Sequence, residues 1–130
     1  MNKKVNKKSL IIFIPYYLPD ESYGGPIVSI NSLIKFLGKK FNIEIYTTSL
    51  EFSSQRAINK NKLIYFKEKN ISKIIRYESH LKNFFGTISK LLKVRNSYIY
   101  INSFFYLSNS IPFFFLSIFL FSKGNILLIS

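Results

Sequence analysis

Residues 10–38, LIIFIPYYLPDESYGGPIVSINSLIKFLG, constrain the fold more than any other stretch of the chain. Leu10–Ile14 is a continuous apolar run rich in Ile, the pattern of a strand covered on both faces of a parallel sheet. Pro15 and Pro19 end it. Gly24 and Gly25 can take backbone angles closed to other residues and let a ligand come close to the main chain. Pro26 suits the first helical position, where a missing N–H costs nothing. Ile27, Ile30, Ile34 and Leu37 follow at helical spacing, and Gly38 is placed to end the helix. Free N–H groups at that helix start, with the helix dipole behind them, favour an anion such as a phosphate. A glycine pair before a helix also serves as a plain tight turn, so the motif alone leaves both readings open.

Strands and helices alternate beyond this unit. Asn42–Thr48 predicts a second strand, β-branched and ending in small polar residues. Residues 50–61 are polar and read as a loop, and Leu63–Phe66 predicts a short third strand. From Ile71 to Val94, Ile71, Ile74, Ile75, Phe85, Ile88 and Leu92 fall near one helical face, with Gly86 a candidate break. Tyr98–Asn102 predicts a fourth strand and Asn125–Ile129 a fifth. Between them Tyr106–Ser122 predicts a helix, bent or started at Pro112. This order predicts an α/β fold: a Rossmann-like parallel sheet with helices on both faces, in one domain. The chain stops at Ser130, at the end of the fifth strand, where nothing follows to pack on it. The expectation is a truncated domain.

Composition narrows the chemistry. The 130 residues contain no cysteine, which removes disulfides and thiolate metal sites. The one histidine, His80, cannot hold a metal by itself and is expected on the surface of a helix; no metal site is expected. The basic start, MNKKVNKKSLIIFIPYYL, is signal-like only superficially. Pro15 and the lack of a small-residue cleavage site make it a basic tail before the first strand. The apolar run Ile111–Phe121 is well short of the roughly 20 residues that span a bilayer. A cytoplasmic location is expected.

Net charge is +13. Either the surface is built for phosphates, nucleic acid or anionic lipid, or residue usage is biased towards Lys, Ile, Asn, Phe and Tyr. Residues 60–95 hold ten Lys and Arg against Glu68 and Glu78. Lys73, Arg76, Lys82, Lys90 and Lys93 would lie beside the apolar face of the predicted 71–94 helix. That is either a solvated helix face or a peripheral contact with anionic membrane. No aromatic nucleic-acid motif is present, and nucleic acid is not the expected partner.

Ligands of parallel α/β sheets bind at the carboxyl ends of the strands. That puts Tyr16–Gly25, Thr47–Ser49 and Asn102–Phe105 along one rim. A dinucleotide-binding reading lacks its chemistry: there is no G-x-G-x-x-G, and Glu44 lies mid-strand instead of at the end of strand two. Asp20 and Glu21 are acidic residues in a rim loop, either candidates for a base or plain solvated loop residues, and the catalytic residues stay unassigned.

Three segments carry a resemblance. IIFIPYYLPDESYGGPIVSINSLIKFLGKKFNIEIYTTS resembles the start of the retaining glycosyltransferases of family four, with their strand, Tyr/Pro loop, Gly-Gly pair, helix and basic turn. YIYINSFF, Tyr98–Phe105, is similar to the fourth strand and loop of some bacterial members. NILLIS is similar to the strand that precedes a Pro-Arg-Gly segment there. The resemblance implies the N-terminal, acceptor-side half of a GT-B fold. It implies transfer of a sugar from a nucleotide-diphosphate donor to a glycan or lipid-linked acceptor, in surface polysaccharide synthesis. No cofactor is implied beyond the nucleotide sugar, which is the substrate. By the same resemblance Gly24 and Gly25 approach the donor's phosphates or sugar, and Tyr16, Asn102 and Ser103 contact the acceptor or a sugar. Many relatives have histidines in the fourth-strand segment, where this chain has Tyr100 and Asn102. The basic residues and paired glutamates of catalysis belong to the C-terminal domain, so this chain is expected to be inactive alone. The other function class that fits is a stand-alone basic module for anionic membrane or nucleic acid.

Overall fold

Leu10–Ile14 have no polar face to give to water, and the structure buries all of them. The structure is a computed structural model describing residues 6–65, 69–102 and 107–129. Its elements alternate: β1 (Ser9–Phe13), α1 (Gly25–Leu37), β2 (Asn42–Thr48), α2 (Lys60–Tyr65), β3 (Lys73–Tyr77), α3 (His80–Lys93), β4 (Tyr98–Ile101), α4 (Leu107–Ser122) and β5 (Ile126–Ile129). The strands form one parallel sheet in the order β3-β2-β1-β4-β5, a Rossmann-like α/β arrangement. Strand β1 is central. Its Phe13 stands opposite Tyr46 on one side and Ile101 on the other.

Successive side chains of β1 point to opposite faces and seed two cores. Leu10, Ile12 and Ile14 join Ile43, Ile45 and Tyr17 beneath Ile30 and Ile34 of α1. Ile11 and Phe13 join Tyr46, Ile99 and Ile101 beneath Leu91 of α3 and Phe113 and Leu120 of α4. Phe13 stacks on Tyr46 at 5.2 Å and meets Phe113 edge-on at 5.1 Å. Helix α1 therefore covers one face, and α3 with α4 covers the other.

The third strand is Lys73–Tyr77, and the segment expected to supply it is instead α2. Asn59 Oδ1 accepts the Asn61 N–H at 2.9 Å and helps start a helical turn there. Phe66 lies outside the described residues. The apolar residues Ile74 and Ile75 pack as strand residues against the two cores. Helix α3 begins only at His80, after Ser79, whose side chain accepts the Lys82 N–H. Gly86 does not break α3. A Cβ built there would fall 2.2 Å from the Tyr77 ring, so the glycine lets β3 and α3 close on each other.

Candidate functional site

The loop 14–24 leaves β1 at the carboxyl edge of the sheet, next to β4, where the strand order reverses. It is fastened along its length. Thr48 Oγ1 donates to the Pro15 carbonyl at 2.7 Å, and the Tyr17 hydroxyl donates to Asn31 Oδ1 of α1 at 2.8 Å. Arg76 of β3 donates Nη2 to the Leu18 carbonyl. Asp20 Oδ2 accepts the Phe52 N–H at 2.8 Å, and Asp20 also takes the N–H and hydroxyl of Ser22.

This anchoring delivers Gly24, at φ 66, to the start of α1. That angle suits glycine and strains other residues. Pro26 has no N–H, and Ile27 and Val28 both donate to the Gly24 carbonyl, at 3.0 and 3.3 Å. Gly25 is left as the first-turn N–H with no intrahelical acceptor. The anion cradle is thus narrower than the sequence suggests. It is open to a ligand, since a Cβ on Gly24 or Gly25 would meet nothing within 4 Å. A depression of about 280 Å³ adjoins it, lined by Leu18, Glu21, Gly24, Ile27, Val28 and Asn31.

Beside the glycines sits a cluster from two loops and the start of α3. The Tyr16 hydroxyl donates to Gln55 Oε1 at 2.9 Å, and His80 Nε2 lies 3.2 Å from Tyr16 Oη and 3.1 Å from Gln55 Oε1. Gln55 Nε2 donates to the Phe52 carbonyl at 2.8 Å, which turns Oε1 towards the other two. With Oε1 accepting from Tyr16, the short approach of His80 is a hydrogen bond when Nε2 carries the proton. Gln55 holds a left-handed backbone, φ 56, after donating its N–H to the Glu51 carbonyl. The Tyr16 ring packs edge-on against Tyr23 at 5.3 Å and Phe52 at 5.2 Å, and Tyr23 leads directly into Gly24.

Electrostatics favour a neutral imidazole in this cluster: burial holds His80 below its ordinary value. Burial opposes ionisation of Asp20, but hydrogen bonds from Phe52 and Ser22 outweigh it and hold its carboxyl below its ordinary value. Asp20 therefore stays an ionised loop anchor, with a poor share of its lone pairs left to act as a base.

Of the residues singled out in the sequence, Tyr16, Gly24 and Gly25 come together on this rim. Tyr16 is only 2% exposed, so it works through the residues around it. Asn102 is 4% exposed at the end of β4, with its N–H donated to the Phe13 carbonyl at 3.0 Å. Ser103 lies outside the described residues. His80, expected on a helix surface, instead opens α3 and closes the cluster, because α3 starts nine residues later than the Ile71 start that periodicity suggests. Sequence reading also missed Gln55 and Phe52, while Tyr23 fell inside the 16–25 rim segment without a role of its own. Gln55 and Phe52 sit in a polar loop without periodicity, and only the topology brings that loop beside loop 14–24.

The expected single basic helix face is corrected as well. Lys73 and Arg76 are on β3, and Arg76 turns inwards to Leu18. Lys82 pairs with Glu78, and Lys90 pairs with Glu44 at 2.8 Å. Glu44 also accepts from the Tyr46 hydroxyl, so it is committed to α3 and stands away from the rim.

Among the described residues no group of three or more acidic or histidine side chains is placed to hold a metal ion. Among them also no helix is long and apolar enough to cross a membrane. The chain matches no protein-family model, no curated protein and no solved structure.

Proposed function

We propose that this chain is the acceptor-side domain of a glycosyltransferase that uses a nucleotide-diphosphate sugar. The observation that carries this reading is the anchored loop 14–24, which presents Gly24 and Gly25 at the start of α1 beside the strand-order reversal. Two neighbouring features support it. An open glycine surface suits the close approach of a diphosphate or a sugar ring. The Gln55 and His80 side chains, held by the buried Tyr16 hydroxyl and next to the exposed Phe52 ring, suit polyhydroxylated ligands, which need hydrogen bonds and an apolar ring face together.

In this reading the domain shapes and orients, and the reaction gains from positioning the acceptor hydroxyl against the donor carbon. Stabilisation of the departing diphosphate comes from a partner lobe bearing basic groups. Purified residues 1–130 then bind ligand without turning over a nucleotide sugar.

The test is a ¹H–¹⁵N NMR titration of the purified chain with uridine diphosphate, its glucose conjugate and a short oligosaccharide. Shifts confined to Gly24, Gly25, Ile27 and the Tyr16 loop are expected. Shifts elsewhere, or none up to about 10 mM ligand, a concentration well above weak-binding dissociation constants, would refute the reading.

A further inference from the structure

Helix α4 is apolar on every side, a pattern that belongs to a helix covered all round. Here only one side is covered. Phe113 and Leu120 enter the core, while Phe114, Phe115, Ile118 and Phe121 are 74%, 78%, 85% and 59% exposed. Those four recur at helical spacing and form one outward stripe. Helix α3 packs beside α4 and adds Phe85 and Leu92, 60% and 45% exposed, to the same outer layer. Exposed apolar side chains concentrated in this way on two packed helices mark a contact site.

Charge says what covers it. Neither α3 nor α4 contains an Asp or Glu. Both helices run back against the parallel strands, so their C-termini meet at one end of the face. Asn96 N–H donates to the Lys123 carbonyl at 3.1 Å, and Lys123 Nζ reaches the Leu92 carbonyl at 2.9 Å. Lys93, Arg95 and Lys123 therefore gather at that end, with the Lys123 ammonium over the Phe119 ring at 4.0 Å. A second copy of a chain carrying +13 would bring like charge against like. An anionic bilayer answers both the apolar stripe and the basic end.

We propose that the outer face of α3 and α4 seats this domain on an anionic lipid surface, with Phe114, Phe115, Ile118 and Phe121 entering the headgroup–acyl boundary and the basic end meeting lipid phosphates. The helices lie in the plane of the surface, because the opposite side of α4 is held in the core. This seat is independent of what the rim binds.

Vesicle co-sedimentation of the purified chain tests it, with phosphatidylcholine alone against a mixture containing about one-third phosphatidylglycerol. Binding to the anionic vesicles should exceed binding to neutral ones by about tenfold and fall in high salt. Phe115→Ser with Ile118→Ser should weaken it by about tenfold or more, with unchanged far-ultraviolet circular dichroism. Lys93→Glu with Arg95→Glu should weaken it while leaving the apolar stripe intact. If the first pair fails to fold, Phe114→Ser with Phe121→Ser takes its place. Failure of the native chain to bind anionic vesicles at low salt would overturn the proposal, as would folded stripe variants that bind like the native chain. So would a dimer in sedimentation velocity that the stripe variants dissolve without any change in lipid binding.

Discussion

The Tyr16 hydroxyl donates to Gln55 Oε1 at 2.9 Å, and this bond joins the loop after β1 to the loop after β2. His80, at the start of α3, touches both partners, so three crossovers that are distant in sequence converge on one amide oxygen. The rim is therefore one connected structure.

Replacing Tyr16 with Phe keeps the ring packing on Tyr23 and Phe52 and removes the hydroxyl. The variant should lose about 1 kcal/mol in urea unfolding, the usual net worth of such a bond. Amide exchange at Gly24 and Gly25 should quicken, since their loop loses one tie. Native-like stability and exchange in Tyr16→Phe would show that the bond does not anchor the loop.

His80 is the sole histidine, so its ring gives one clean NMR titration. Burial lowers its folded pKa below 6.5. The unfolded chain therefore takes up the proton first as pH falls. The stability this group contributes is complete above pH 6.5 and is lost as pH drops through the lower, folded value. A measured pKa at or above 6.5 would contradict the half-buried neutral ring.

Gly24 and Gly25 should respond differently to alanine. Gly24→Ala forces a side chain into a left-handed backbone and should cost about 1 kcal/mol, with no clash to add to it. Gly25→Ala should change stability by less than about 0.5 kcal/mol, because the site is helical and open. In the titration proposed above, however, Gly25→Ala should lose the diphosphate response. Retained ligand shifts in a folded Gly25→Ala chain would remove Gly25 from the site.

Gly86→Ala drives a methyl into the Tyr77 ring. The clash should outweigh the gain in helix propensity, for a net loss of about 1 kcal/mol. In a Tyr77→Ala background the same change should become stabilising by about 1 kcal/mol. A cycle with no coupling between the two positions would mean that β3 and α3 are not packed through this glycine.

Glu44 and Lys90 protect each other's charge. Burial works against both charges, but their mutual hydrogen bond leaves Glu44 below its ordinary pKa and Lys90 above its own. The contribution of the pair is complete between about pH 4.5 and 10.5; it fades as acid protonates Glu44 below that window and as base neutralises Lys90 above it. Lys90→Met should cost about 1–2 kcal/mol at pH 7, where Glu44 would keep the Tyr46 hydrogen bond and the attraction of Lys73 but lose its ion pair. Thermal unfolding at pH 7 and pH 3 checks it, and the gap between variant and native chain should shrink in acid.

The strand–loop–helix at residues 10–38 was legible because β1 is covered on both faces and α1 on one, and each case leaves its own hydrophobic period. Strands β4 and β5 were legible as short apolar runs, although the edge strand β5 leaves Ile126 and Leu128 open to one side. Residues 71–77 were not, because Ile71, Ile74 and Ile75 satisfy helical spacing as readily as a half-buried edge strand. The Ser79 cap was the signal that separates the two, since it marks where a helix begins. The glycines of the site announced themselves by their backbone chemistry. Gln55 and His80 did not, because their meeting depends on which loops the sheet order makes neighbours, and no short-range pattern carries that information.

Strand β1 is hydrogen-bonded to β2 on one edge and β4 on the other, and the loop bearing Gly24 grows from its end. Opening β1 means tearing both ladders at once, which is equivalent to losing the whole sheet. The root of the rim therefore has no private way to come apart. Amide protons of Ile11–Phe13 should exchange only as rarely as the entire molecule unfolds, and the motions available to a binding loop are confined to its outer half.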